Sequence, residues 1–303
     1  MGFKSGFISI VGRPNVGKST LLNKLAGEKI SIISNKPQTT RNNLRAIITE
    51  EDYQVIFIDT PGIHKPQNRL GEYMVAEAFE TLEGADGIVY MYDSLKSEIG
   101  MGDKYILEHL PNGKNIPAFL ILNKIDLIPK ENLLGLIEQL SKLHDFADII
   151  PISAAKGDGI DVLLNEIKRI LPEGPKYFSE DLITDTSIRE ICTEIIREKI
   201  LKFTDEEIPH GTGVEIISYD EVSKGKNKGL IHIESTIYCE KASHKGIIIG
   251  KDGTMLKKIG IAARRDIEKL VDARVNLKLW VKVKDDWRND NFMLKELGFT
   301  KKK

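Results

Sequence analysis

A strand, a glycine-bounded octapeptide and a helix in immediate succession constrain this chain more than any other stretch. The apolar run at 7–11 leads into Gly12-Arg13-Pro14-Asn15-Val16-Gly17-Lys18-Ser19, and the amphipathic pattern of 20–25 follows at once. The octapeptide has the form GxxxxGK[ST], whose glycines let backbone N–H groups curl around a phosphate. The helix N-terminus adds partial positive charge at the same point. Such a turn belongs at the carboxyl edge of a parallel sheet, where ligands of open α/β folds bind.

The first half of the chain has the pattern of that sheet. Runs at 54–58, 87–92, 118–122 and 149–152 read as further buried strands, with helical patterns such as 132–143 and 159–170 between them. Strand and helix in strict alternation predict an α/β domain with a mostly parallel sheet and helices on both faces. Leu171-Pro172-Glu173-Gly174-Pro175 stops the last helix and reads as a linker. The pattern then changes to a helix around 187–202, a strand at 213–219, a Lys/Gly/Asn turn at 223–229 and a strand at 230–239. Two helical pieces flank Gly250 to Gly253, and 274–283 alternates as a final strand, which makes a smaller α+β module. The expected division is therefore 1–171, a linker at 172–186, a second domain at 187–287 and a tail at 288–303 that ends in Lys301 to Lys303. A chain of 303 residues is long enough for two cores.

Net charge is -1, but it is unevenly spread. Residues 241–303 hold 17 Lys and Arg against 8 Asp and Glu, a surplus of nine positive charges that suits a polyanion. The two cysteines, Cys192 and Cys239, form no Cys-x-x-Cys or Cys/His cluster, so neither a disulfide framework nor a zinc site is expected. A reducing, cytoplasmic setting fits. No apolar run approaches the ~20 residues of a spanning helix, so membrane contact is expected to be peripheral at most.

Three of the four motifs after the octapeptide follow a strand. Lys18 is expected to reach the β- and γ-phosphates and Ser19 to ligate Mg²⁺, with Thr20 alongside. Asp59-Thr60-Pro61-Gly62 ends the second strand, so that Asp59 can hold Mg²⁺ and the Gly62 N–H can meet the γ-phosphate. Pro37-Gln38-Thr39-Thr40-Arg41 lies between the two and offers a hydroxyl to the metal, with Thr40 favoured over Thr39. Asn123-Lys124-Ile125-Asp126 and Ser153-Ala154-Ala155 end two later strands. Asn123 is expected to brace the pocket and touch the base, Lys124 to lie along it, and the Ala154 N–H to meet a base oxygen. Asp126 selects the base. Its carboxylate accepts from two adjacent donors, which guanine presents at N1 and the 2-amino group and adenine lacks, so the expected nucleotides are GTP and GDP.

GRPNVGKS, QTTR, DTPG, NKID and SAA together resemble the translation-factor-like class of P-loop GTPases. With GKDG between helices in the second half, nearly all 303 residues resemble the Era family of bacterial GTPases, whose second domain is a type II KH domain. The resemblance implies GTP hydrolysis involving Asn15, Lys18, Thr40 and Gly62, control of single-stranded ribosomal RNA binding, and a role in maturation of the 30S subunit at the 3′ end of 16S rRNA. A monomer is expected. Ile63 stands where Ras-like proteins carry a water-positioning glutamine, which implies slow intrinsic turnover. Asn15 is similar to the asparagine that holds K⁺ in potassium-activated relatives. Gly250, Lys251 and Gly253 of the Gly-x-x-Gly loop, with Lys257, Lys258, Arg264 and Arg265 on the next helix, are the expected RNA contacts. Asp252 opposes them, being a negative charge on the phosphate path. It motivates a second reading, in which the C-terminal module docks a protein or membrane partner.

Overall fold

The computed structural model describes residues 2–34, 36, 39–63, 66–96, 98–111, 116–222 and 229–299. Pro37 and Gln38 of the polar segment, His64, most of the turn at 223–229 and Lys301 to Lys303 lie outside the described residues. The chain forms two compact units: Met1–Gln67 with Gly71–Asp185, and Thr186–Lys303 with Asn68–Leu70.

The first unit follows the order β1 (Lys4–Gly12), α1 (Lys18–Ala26), β2 (Leu44–Thr49), β3 (Tyr53–Asp59), α2 (Arg69–Glu83), β4 (Gly87–Asp93), α3 (Met101–His109), β5 (Ala118–Asn123), α4 (Lys130–Ser141), β6 (Asp148–Ile152) and α5 (Ile160–Ile170). Its six-stranded sheet runs β2-β3-β1-β4-β5-β6. Every pair is parallel except β2 with β3. That hairpin breaks the strict alternation of strand and helix read from the sequence: Leu44–Thr49 pairs directly with the next strand and lies at the sheet edge. β1 sits between β3 and β4, whose connections leave in opposite directions, so its carboxyl end opens a crevice. β3, β4 and β5 are apolar almost throughout because helices cover both faces, as the two clusters around Ile10 and around Tyr90 record.

Residues 172–186 do not behave as a free linker. Ser5 N–H donates to the Pro172 carbonyl at 3.0 Å and Gly174 N–H to that of Phe3 at 3.0 Å. The fully buried Gln54 side chain accepts from the amides of Tyr177 and Phe178 at 2.8 and 3.0 Å. Ile47 of β2 donates to Ile183 at 2.9 Å, and Ile183 packs on the core. Prolines and a glycine end a helix, but extended backbone can still pair with a sheet edge, and here it does.

The second unit contains α6 (Ile188–Phe203), β7 (Thr212–Glu221), β8 (Ile231–Cys239), α7 (Ala242–Ile249), α8 (Thr254–Val271), β9 (Val275–Val283) and α9 (Asn291–Glu296). Ser187 opens α6 with a capping box: the Ser187 hydroxyl accepts from Glu190 N–H at 3.2 Å and the Glu190 carboxylate from Ser187 N–H at 2.9 Å. Such a cap is worth about 1 kcal/mol. β7 and β8 are antiparallel and β8 and β9 parallel, with α6 and α8 packed against them around Ile196, Ile233 and Ile267. The tail expected at 288–303 is folded through 299: Trp287 is wholly buried and donates to the Gly211 carbonyl at 2.9 Å, and Met293 and Leu294 are buried in α9.

Candidate nucleotide site and Gly-x-x-Gly groove

Four turns of the first unit converge at the carboxyl edge of its sheet. A cavity there is lined by Pro14, Asn15, Gly17, Lys18, Ser19 and Thr20 of the phosphate loop and α1, by Ile32, Ile33, Ser34, Thr39 and Thr40, and by Gly62 and Lys124. Lys18 is almost fully buried at 6% exposure, and its Nζ donates to the carbonyls of Gly12 and Arg13 at 3.1 and 3.2 Å. Gly17 has φ 108, and a Cβ there would lie 2.2 Å from Asn123 Nδ2, so only glycine fits.

Ser19, Thr40 and Asp59 meet at one point. Ser19 Oγ donates to Asp59 Oδ2 at 2.8 Å, Thr40 Oγ1 donates to the same oxygen at 3.3 Å, and the two hydroxyls are 2.9 Å apart. Thr39 instead donates to the Lys36 carbonyl at 2.6 Å. Between the two threonines the geometry therefore singles out Thr40. Asp59 is fully buried and its other oxygen, Oδ1, has no hydrogen-bond partner among the described residues, a costly arrangement for a carboxylate. Burial raises the Asp59 carboxyl above the ordinary carboxylate range, opposed by Lys18, Ser19 and Thr40. Burial also lowers the Lys18 ammonium, opposed by Asp59. Two hydroxyls and a carboxylate with an unused oxygen are hard ligands of the kind Mg²⁺ takes, so the residues present fit that ion.

The Asp59-Thr60-Pro61-Gly62 turn is tied to β1: Thr60 Oγ1 donates to the Ile10 carbonyl at 2.8 Å and Ile63 N–H to that of Gly12 at 3.3 Å. Ile63 is buried in the core, so the position is filled by a side chain that neither hydrogen-bonds nor faces the cavity.

Asn123 links three loops. Its Nδ2 donates to the Val16 carbonyl at 2.7 Å, and its Oδ1 accepts from Ala154 N–H at 2.9 Å. The Ala154 amide, assigned from the sequence to a base oxygen, is thus engaged by Asn123, while Ala155 beside it is exposed. Ser153 is buried and donates its N–H to Asp158 at 3.0 Å, closing the same loop. Lys124, held at φ 68, donates to Asp93 at 2.7 Å and to the Asn15 carbonyl at 3.0 Å. Asp126 follows, 3.8 Å from Lys156 and largely screened from solvent. Asp93, Lys156 and the Ile32-Ile33-Ser34 segment were missed by sequence reasoning, because none of them lies in a recognisable tetrapeptide. Only the proximity of the 32–34 segment to Thr40 could have pointed to it.

In the second unit Gly250 and Gly253 take φ 74 and 76, and Lys251 and Asp252 between them are exposed. Beside this loop runs a groove lined by Gly253, Leu256, Lys257, Gly260, Ile261, Arg264, Leu277 and Leu279. Steps of three and four along α8 put these positions on one face. Lys257 and Arg264 therefore flank an apolar floor. Lys258 does not line it: its Nζ lies 4.4 Å from the Phe203 ring. Arg265, seven residues on, is exposed and likewise outside the lining, as are Gly250 and Lys251. The floor residues Leu256, Gly260, Ile261, Leu277 and Leu279 were not singled out, since apolar positions of a helix and strand read as core.

A phosphate loop with a metal-type oxygen cluster and an Asn-Lys-Ile-Asp turn at the same sheet edge, followed by a Gly-x-x-Gly module, defines a P-loop GTPase carrying a KH domain. Family models agree: one described as a 50S ribosome-binding GTPase matches residues 7–124, and a KH domain model matches 207–288. The chain is 56% identical to the GTPase Era of Ruminiclostridium cellulolyticum, over 99% of this chain and 98% of that one. It is 57% identical to the GTPase Era of Clostridium novyi over 98% and 99%. It therefore belongs to the Era family of GTPases. Among solved structures, Era in complex with MgGDPNP and nucleotides 1506–1542 of 16S ribosomal RNA superposes with TM-score 0.93 at 40% identity, over 98% of this chain and 99% of that one. A point variant of Aquifex aeolicus Era bound to GDP and aluminium fluoride gives the same score and identity over 98% and 100%.

Proposed function

We propose that the first unit hydrolyses GTP to GDP and phosphate with Mg²⁺, and that the nucleotide state controls how residues 187–287 hold single-stranded RNA at the 3′ end of 16S rRNA during 30S subunit maturation. The observation that carries the hydrolytic half is the meeting of Ser19, Thr40 and Asp59 beside Lys18. Those three residues would hold the ion, whose contribution is to neutralise charge on the phosphate oxygens. Lys18 binds the β- and γ-phosphates, Gly62 offers its N–H to the γ-phosphate, and Asn15 takes K⁺ at the mouth of the loop. With Ile63 buried in the core, nothing at that position orients water, and unassisted turnover is slow. Loss of the γ-phosphate releases Thr40 and its segment. The RNA half is supported by the apolar groove between Lys257 and Arg264 and by the Era relative crystallised with MgGDPNP and a 16S RNA segment. Two buried free cysteines suit a reducing compartment, and we place the protein in the cytoplasm. Among the described residues no helix is long and apolar enough to cross a membrane.

Crosslinking to 30S particles with GTP and then with GDP bound tests the whole reading, with Gly253→Asp as the RNA-blind control. Crosslinks to the 3′ end that differ between nucleotide states and vanish in the control support it. Equal crosslinks in both states remove the switch. Their absence from the parent protein favours the docking role, which Asp252 motivates. Equal GTP turnover in K⁺ and Na⁺ would remove Asn15 as an ion ligand.

A further inference from the structure

The second residue of the phosphate loop is held by a cradle that no nucleotide motif explains. Arg13 Nη1 donates to Asp103 Oδ2 at 3.0 Å, and Asp103 is almost wholly buried while Arg13 is 40% exposed. Asp103 also accepts from Gly100 N–H at 3.1 Å and, on its other oxygen, from the Tyr90 hydroxyl at 3.1 Å. Each carboxylate oxygen is thus held by one donor from the α3 N-terminus or β4, which fixes the group that Arg13 grips. Two glycines make room for the guanidinium: a Cβ at Gly100 would lie 2.6 Å from Arg13 Nη1, and one at Gly102 would lie 3.2 Å from Nε.

What the cradle holds is the backbone around the phosphates. The Arg13 carbonyl accepts from Lys18 Nζ at 3.2 Å. Pro14, the next residue, abuts Gly62, where a Cβ would come within 2.8 Å of the Pro14 nitrogen. A shift of the 13–14 backbone therefore moves both the Lys18 ammonium and the Gly62 amide.

We propose that Asp103 is a positioning residue for GTP hydrolysis: through Arg13 it fixes the 13–14 backbone, and so aims Lys18 and Gly62 at the γ-phosphate. The inference rests on the roles given above to Lys18 and Gly62. A backbone displaced by a fraction of an ångström leaves the many other phosphate-loop N–H contacts in place and misaligns the two groups needed in the transition state. The loss then falls on kcat and spares binding.

Arg13→Gln, Asp103→Asn and the double variant decide it by steady-state hydrolysis and GDP affinity. Arg13→Gln leaves Asp103 capping α3, so its folding is not in question. The expected result is a kcat lowered roughly tenfold in each single variant, with KM for GTP and GDP affinity within about twofold of the parent. The double variant should be no slower than the slower single, since one residue acts through the other. Parent-like kcat in Arg13→Gln, losses that multiply in the double variant, or a raised KM at unchanged kcat each overturn the inference. Lys18→Ala keeps the two levels apart. If it hydrolyses GTP like the parent, the phosphate-site assignment itself fails. If it is inactive while Arg13→Gln is fully active, only the role of Asp103 fails.

Discussion

Asp126 and Thr40 each carry a consequence that a single substitution exposes. Asp126→Asn keeps the volume but replaces an acceptor by a group that also donates, so two hydrogen bonds to guanine become one and a clash. GTP affinity should fall by about 3 kcal/mol, and xanthosine triphosphate, which offers an acceptor at that edge, should bind in its place. Competition of the two nucleotides for one labelled GDP site measures this, and unchanged GTP preference would falsify the assignment. Thr40 and Thr39 form a matched pair. Thr40 Oγ1 lies 2.9 Å from Ser19 Oγ, whereas Thr39 is turned to the Lys36 carbonyl. Thr40→Ala should lower GTP hydrolysis roughly a hundredfold, as losing a group that completes a phosphoryl-transfer site does, and Thr39→Ala should leave it near the parent rate. The reverse order would point to a different closed form of the segment. Both residues sit in one polar run where the sequence already favours Thr40, and the contacts agree: Thr40 reaches Ser19 and Asp59 while Thr39 turns away.

At the scale of elements, the segment 172–186 carries the clearest consequence. Its amides at Tyr177 and Phe178 depend on Gln54, which also donates to Thr49 at 2.8 Å and to the Phe178 carbonyl at 3.0 Å. Gln54→Leu keeps the β3 backbone and strips these partners. A stability loss of about 3 kcal/mol is expected in denaturant unfolding, with faster proteolysis within 172–186. A variant as stable and as resistant as the parent would show that the segment holds on without Gln54. Proline and glycine rightly marked the end of α5, yet they are silent on what the following backbone pairs with. The same gap explains the helical face of α8. Four basic residues there were legible as a group, but only the packing of α8 against β9 and Phe203 sends Lys257 and Arg264 to the groove and Lys258 away from it.

Over the whole molecule, the first unit has two clusters of core residues and the second has its own, and apart from Asn68–Leu70 the units divide at Asp185 and Thr186. A fragment of residues 1–185 should fold and bind GDP with the affinity of the full chain. A fragment of 1–171 should melt at lower temperature, because it lacks Ile183 on the core and every pairing of 172–186 with β1, β2 and β3. Thermal unfolding of the two fragments with and without GDP checks this, and equal melting temperatures would contradict it. From the sequence alone came the class of nucleotide, the parallel sheet, the family and the Gly-x-x-Gly module, because a phosphate loop and an Asn-Lys-Ile-Asp turn are short, contiguous and built largely from backbone and one side chain each. Tertiary structure alone decided that Asn123 takes the Ala154 amide, which lysines face the groove, and that Asp103 grips Arg13 across 90 residues of chain. Each of these depends on groups far apart in sequence whose meeting is set by strand order and helix packing, and no local pattern records such a meeting.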